Sequence, residues 1–225
     1  MTFSISARCA RTGMFGIAVS SSSPAVAARC AHARAGVGVV ATQNITDPSL
    51  GPKGLDLMEA GLAPDAVIAR FASEAPHFDY RQVVVLGPDG RTAHHSGAKT
   101  LGVHRIVAAP DVAAAGNLLA SEAVPQAMVD RFLALPDAHI GDRLVAAMQA
   151  AVAAGGEEGP VHSVGMLIVD TVAWPVTDLR IDWSEGDVMA DLEALWTLWK
   201  DQMDAYVTRA LNPSTAPSYG VPGDA

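Results

Sequence analysis

In the opening stretch "MTFSISAR", Thr2 is the residue whose type and position could do the most chemistry. Its small side chain favours removal of Met1, and a Thr2 so exposed carries a free α-amine beside a hydroxyl. An α-amine titrates at about 7.7–8.0, near working pH, and can accept the proton of a hydroxyl that is a weak nucleophile on its own. One residue then acts as nucleophile and base together. Threonine also suits the start of a strand for purely structural reasons, so the groups brought around it carry the argument.

Several stretches offer such groups. Ser20, Ser21, Ser22 and Ser23 form a hydroxyl run before Pro24 that could bind substrate or orient the amine, or simply cap a helix. In "ATQNITD", Gln43 and Asn44 sit where an apolar strand meets a helix, a place where backbone N–H groups can face an oxyanion. "AGNLLAS" puts Gly116 and Asn117 in an equivalent place, with a plain turn as the alternative. "GPVHSVG" sets His162 and Ser163 at the entry to a buried strand. Neighbouring strand residues point to opposite faces, so this pair is not two-thirds of a triad. His94 and His95 make a poor metal site for the same reason, and Cys9 and Cys30 form neither a C-x-x-C pair nor a zinc spacing. No metal and no organic cofactor is expected.

The elements that must position these residues follow from periodicity. Phe3, Ile5 and Ala7 alternate with Thr2, Ser4, Ser6 and Arg8, a half-buried strand. "MFGIAVS" is its hairpin partner, and "VGVVATQ" a third, more buried strand. "GPKGLDLMEAG" and "PDAVIARFASEA" read as short helices ended by Gly or Pro. "RQVVVLGPDGRTAHHSG" is two strands around a turn, and "RIVAA" with "VAAAGN" adds one or two more. Helical spacing returns from Ala123 to Phe132 and from Ile140 to Val152, then strands in "HSVGMLIVD" and "VTDLRIDW". One long helix is expected from Val188 to Tyr206. Strands grouped with helix pairs disfavour a doubly wound sheet and fit two largely antiparallel sheets with helices outside, an α+β fold. Residues 1–211 read as one domain and 212–225 as a flexible tail.

Composition narrows the partners. With 15 Lys and Arg against 24 Asp and Glu, the net charge of −9 argues against nucleic acid or an anionic membrane surface. No run of about 18 apolar residues is present, so no membrane span is expected. The apolar run after Arg11 is too short for a secretory core, and two unpatterned cysteines fit a reduced, cytoplasmic protein, although a disulfide between them stays open. Trp196, Trp199 and Tyr206 on the last helix suggest a homodimer or larger homo-oligomer, unless those rings are core.

"TGMFGIAVSSSSPAVA", "RAGVGVVATQNITDPSLGPKGLDLMEAG", "GNLLAS" and "HSVGMLIV", together with "MTFSISAR", resemble the bacterial family Domain of Unknown Function 1028 over roughly residues 1–200. That family is assigned to the N-terminal nucleophile hydrolases, which include proteasome β subunits. The resemblance implies a four-layer αββα sandwich with the nucleophile at Thr2. It also implies an oxyanion amide from "ATQN", a turn beside the nucleophile at Gly116 and Asn117, and a serine opening a late strand at Ser163.

Two departures stand out. Proteasome-like enzymes place a lysine near the nucleophile, which neither Lys53 nor Lys99 obviously supplies. The family's loop before Ser163 reads Gly-Gly-Asp, arginines and Gln-Ser, where this chain has "GGEEGPVHS", so His162 stands for the glutamine. The expectation is an amidohydrolase acting on a small-molecule amide or short peptide, with Thr2, Asn44, Asn117 and Ser163 catalytic and Ser20, Ser21, Ser22, Gln43 and His162 binding substrate. The alternatives are a non-catalytic binding protein on the same scaffold and a hydrolase using an internal serine.

Overall fold

The computed structural model describes residues 1–220. Over these residues the fold is α+β, with two antiparallel sheets and seven α-helices. The strands are β1 (Thr2–Arg8), β2 (Phe15–Ser21), β3 (Ala31–Arg34), β4 (Gly38–Asn44), β5 (Arg81–Leu86), β6 (Thr92–Ser96), β7 (Arg105–Ala109), β8 (Val112–Asn117), β9 (Ser163–Val169) and β10 (Thr177–Ile181). The helices are α1 (Ala27–Cys30), α2 (Leu50–Glu59), α3 (Pro64–Glu74), α4 (Val124–Leu133), α5 (Ile140–Ala153), α6 (Val188–Lys200) and α7 (Met203–Leu211). The larger sheet runs β10-β9-β2-β1-β8-β7 and the smaller β3-β4-β5-β6.

The period-2 pattern of β1 explains its central place. Phe3, Ile5 and Ala7 face one way and pack with Met128 and Phe132 of α4, Leu144 and Met148 of α5, and Leu192 and Trp196 of α6. The opposite face, carrying Thr2, Ser4 and Ser6, is also buried. This corrects the expectation of a half-buried strand, because that face meets the second sheet. Phe15 and Ile17 of β2, Val39 and Ala41 of β4, Val84 and Leu86 of β5, and Ala113 and Ala115 of β8 form the apolar part of the junction between sheets. On the outer side of β4 and β5, Val40, Val83 and Val85 pack with Leu55 and Met58 of α2 and Phe71 of α3.

At one end of the junction the apolar packing gives way to amides. Gln43 and Gln82, on neighbouring strands of the smaller sheet, are paired across the ladder. Ser4 Oγ donates to Gln43 Oε1 (2.7 Å), and Gln43 Nε2 donates to Gln82 Oε1 (2.7 Å). Asn117 Nδ2 donates to the same Gln82 oxygen (3.2 Å), while Gln82 Nε2 donates to the Gly116 carbonyl and to Ser96 Oγ, both at 3.0 Å. Burying such groups unpaired costs roughly 1–3 kcal/mol each, so the complete network fixes how the two sheets meet.

Two element expectations are corrected. The Ala-rich stretch after the serines hides α1 and β3, since small residues carry little periodic signal. The long C-terminal helix divides at Asp201 and Gln202 into α6 and α7, which lets Met203 bury beneath Thr177 (Oγ1 to Sδ, 3.3 Å). Its rings are used within the chain: Trp196 donates to Asp142 (2.8 Å), and Trp199 donates to the Val176 carbonyl (3.1 Å) and stacks on Tyr206 (5.1 Å). In the segment expected as a tail, Arg209 donates to the carbonyl of Pro217 (3.0 Å) and lies over the Tyr219 ring, and residues 221–225 of that expectation lie outside the described residues. Among the described residues no helix is long and apolar enough to cross a membrane.

Candidate functional site

Thr2 opens β1, the strand flanked by β2 on one side and β8 on the other. Register places it directly opposite Asn117 of β8. On the other side, one position beyond the Phe3–Ser20 pair, Ser21 Oγ lies 3.4 Å from Thr2 Oγ1. Ser21 is in turn directly opposite Ser163 of β9. Asn117, Thr2, Ser21 and Ser163 therefore form a row across four strands. Opposed residues in an antiparallel pair share a face, so all four side chains project toward the second sheet. Chain-distant residues meet because all four strands have an end at one edge.

Hydrogen bonds fix the row. The Met1 carbonyl accepts from Thr2 Oγ1 and from Ser21 Oγ, at 2.5 Å each. Ser21 Oγ also accepts from the Ser23 amide (3.1 Å). Ser163 Oγ donates to the Ser23 carbonyl (2.6 Å) and accepts from the Val26 amide (3.3 Å). These bonds bend the serine run into a loop over the edge, and Ala25 takes a left-handed conformation to close it. With Met1 in place Thr2 is only 7% exposed.

The remaining predicted residues divide by pleat. Gln43 faces the larger sheet and reaches Ser4. Asn44, the next residue, has the left-handed φ of 75° and faces away; its side chain donates to the Tyr80 carbonyl (2.6 Å) and accepts from the Leu101 amide (3.2 Å). It ties loops together and makes no hydrogen bond to Thr2. Ser20 lies on the helix side of its strand, fully buried, where its hydroxyl donates to the Ser163 carbonyl (2.9 Å). Ser22 is partly exposed at the mouth of the edge. His162 has Nδ1 at 2.9 Å from the Ser184 carbonyl and its ring stacked on Trp183 (4.3 Å); its backbone N–H donates to Ser21 O (3.0 Å). Lys53 and Lys99 are committed to Glu74 (3.0 Å) and Asp79 (2.8 Å) on the surface, and neither approaches Thr2 by any bond.

One acid in this region was missed by the reading of residue types. Glu157 is 5% exposed and neither carboxylate oxygen has a hydrogen-bond partner. It lies in the loop between α5 and β9, held by a bridge to Leu119 just beyond β8. Burial pushes its carboxyl up to about 8, opposed by the positive Met1 α-amine and the Ser22 backbone amide. In "GGEEGP" it looks like an ordinary solvated loop acid, and only the tertiary fold buries it.

A cleft of about 450 Å3 at the other end of β8 is lined by Asp65, Asp89, Arg91 and Asp111. Arg91 is paired there with Asp89, and Asp111 with Arg8. Among the described residues no group of three or more His, Cys, Asp or Glu side chains could hold a metal ion.

The family model described as "Family of unknown function (DUF1028)" matches residues 2–192, most of the chain and every residue of the row. The chain belongs to this family. A crystal structure of a DUF1028 protein from Silicibacter pomeroyi is similar at a TM-score of 0.82 and 27% identity, covering 90% of this chain and 93% of that one. The Anbu (ancestral beta-subunit) from Yersinia bercovieri aligns at a TM-score of 0.41 and 11% identity, over 91% of this chain and 97% of that one, a likeness too low to carry an argument. No curated protein matches.

Proposed function

We propose that this DUF1028 member is an amidohydrolase of the N-terminal nucleophile type, that its sheets and helices form the αββα sandwich of that class, and that Thr2 is its nucleophile once Met1 is removed. The observation that carries the reading is the row Asn117–Thr2–Ser21–Ser163 at one sheet edge, centred on the residue that can become an N-terminus. In this reading Thr2 Oγ1 attacks the amide carbonyl carbon and the α-amine of the same residue takes its proton. The Ser21 hydroxyl, which already donates to a carbonyl oxygen beside Thr2, stabilises the oxyanion. The ammonium returns the proton to the leaving amine, and water releases the acyl group from the resulting ester.

Asn117 has its amide engaged by Gln82, so its contribution is to wall the site and hold the end of β8 in place. An internal serine is less well supplied: Ser163 is fully buried, and its hydroxyl neighbours are backbone groups rather than a base. The non-catalytic alternative draws on the lysines, both of which are tied up in surface ion pairs.

A panel of small amides and short peptides, assayed with wild type and Thr2→Ala, separates these readings. Turnover lost in Thr2→Ala supports the N-terminal nucleophile. Turnover retained moves the chemistry to another residue, and no turnover in the wild type leaves a binding protein.

A further inference from the structure

Thr2, Ser21, Ser163, Asn117, Gln43 and Gln82 all have hydrogen-bond partners. Glu157 alone, deeply buried at the same edge, has none for either oxygen. The Ser22 backbone amide lies near enough to favour its ionised form, but a buried acid so poorly served is destabilising unless something supplies a cation or a further donor. The group that occupies the edge shows what fits. Met1 is an aminoacyl unit: its carbonyl oxygen rests on the Thr2 and Ser21 hydroxyls, and its side chain lies against Gly159, where an added Cβ would come within 2.9 Å of Met1 Cε. Its α-amine is the positive charge acting on Glu157. An aminoacyl group at this edge thus reaches both the paired hydroxyls and the loop that carries the acid.

We propose that Glu157 is the subsite for an amine on the acyl side of the substrate, so that the substrate class is the α-aminoacyl amides, including the free amino end of short peptides. The proposal rests on the Thr2 reading for the reaction, but the recognition of the amine is read separately. Removing Met1 vacates its volume, takes the Met1 α-amine away from Glu157 and moves the chain's N-terminal amine back to Thr2. A substrate amine entering as the free base takes the carboxyl proton, and one entering as ammonium displaces that proton to solvent; either route leaves a carboxylate paired with an ammonium. The Gly159 wall gives the substrate side chain room, and Ser21 positions the carbonyl for attack. An N-acylated substrate offers no charge and leaves the carboxyl unpaired, so it is discriminated against.

The test uses protein released from a cleavable N-terminal fusion so that position 2 is its first residue, with intact mass as the check. L-methioninamide and N-acetyl-L-methioninamide are titrated calorimetrically into wild type, Glu157→Gln and Gly159→Val, each also carrying Thr2→Ala to keep binding apart from turnover. The expected result is a preference of about tenfold or more for the free amine in the Thr2→Ala background, lost in Glu157→Gln. Gly159→Val weakens both probes and leaves the preference. Equal binding of the two probes, binding of neither, or a preference that survives Glu157→Gln overturns the proposal. The comparison of the two probes in the Thr2→Ala background decides even if Glu157→Gln does not fold. Absence of turnover with the preference intact would sink the Thr2 reading and not this one.

Discussion

Thr2 and Asn117 face each other across the β1–β8 pairing, yet the Asn117 amide is turned away from Thr2 and donates to Gln82 in the opposite sheet. The strand end beside the proposed nucleophile is therefore anchored from the other layer. Gln82 serves as the common partner, since its side chain also joins Gln43, Ser96 and the Gly116 carbonyl.

Replacing Gln82 with leucine keeps the volume and removes every one of these bonds. The Gln43 and Asn117 amides and the Gly116 carbonyl are then buried without partners, at roughly 1–3 kcal/mol each. A fall in stability of about 3 kcal/mol or more is expected from urea denaturation, with an unchanged m-value. Activity should fall with it at temperatures where the variant is still folded, because the end of β8 loses its tether.

Ser21→Ala removes one hydroxyl from the pair that meets the Met1 carbonyl and leaves the Ser23 amide without its acceptor. The stability cost should be small, about 1 kcal/mol. If Ser21 stabilises the oxyanion, kcat should fall by about 10²–10³ with little change in KM. A loss confined to KM would make Ser21 a ground-state binding residue instead.

Much of this fold is legible in the sequence wherever periodicity is strong. The β1–β2 hairpin and the α4–α5 pair follow from alternation and 3.6-residue spacing, whereas the Ala-rich β7 and β8 left one strand or two open. β3 was hidden because alanines mark no face, and the buried hydroxyl face of β1 was hidden because serine reads as solvent-facing until a second sheet is known to cover it. At the site, residue types pick out Thr2, Ser21, Asn117 and Ser163, whereas the pleat sends Asn44 and Ser20 to other faces. Alternation alone could have separated Gln43 from Asn44. Glu157 could not have been found this way, because its burial depends on the Leu119 bridge and on the loop of serines.

Met1 processing is the next prediction. With Met1 attached, the Thr2 nitrogen is an amide that cannot take a proton at neutral pH, and the methionine fills the space above the hydroxyl pair. Intact mass of protein made without an N-terminal tag should show loss of one methionine in any active preparation. Full retention in an active preparation would assign the nucleophile elsewhere.

The pH dependence of stability gives a last, independent reading of Glu157. Its folded-state carboxyl is raised to about 8 by burial, whereas in the unfolded chain it titrates near the ordinary value of 4.5. Below the unfolded value both states hold the proton and the group is neutral in its effect. Between that value and about 8 the unfolded chain has released its proton while the folded protein retains it, so raising the pH favours unfolding. The effect accumulates to roughly 5 kcal/mol across this window and levels off above the folded value. Glu157→Gln has no proton to lose and should flatten the difference. Urea denaturation at intervals from pH 5 to pH 9 should therefore give curves for wild type and Glu157→Gln that separate as the pH rises, with the variant the more stable at the alkaline end. Parallel curves would mean that Glu157 is ionised in the folded protein, and would place a cation or donor beside it.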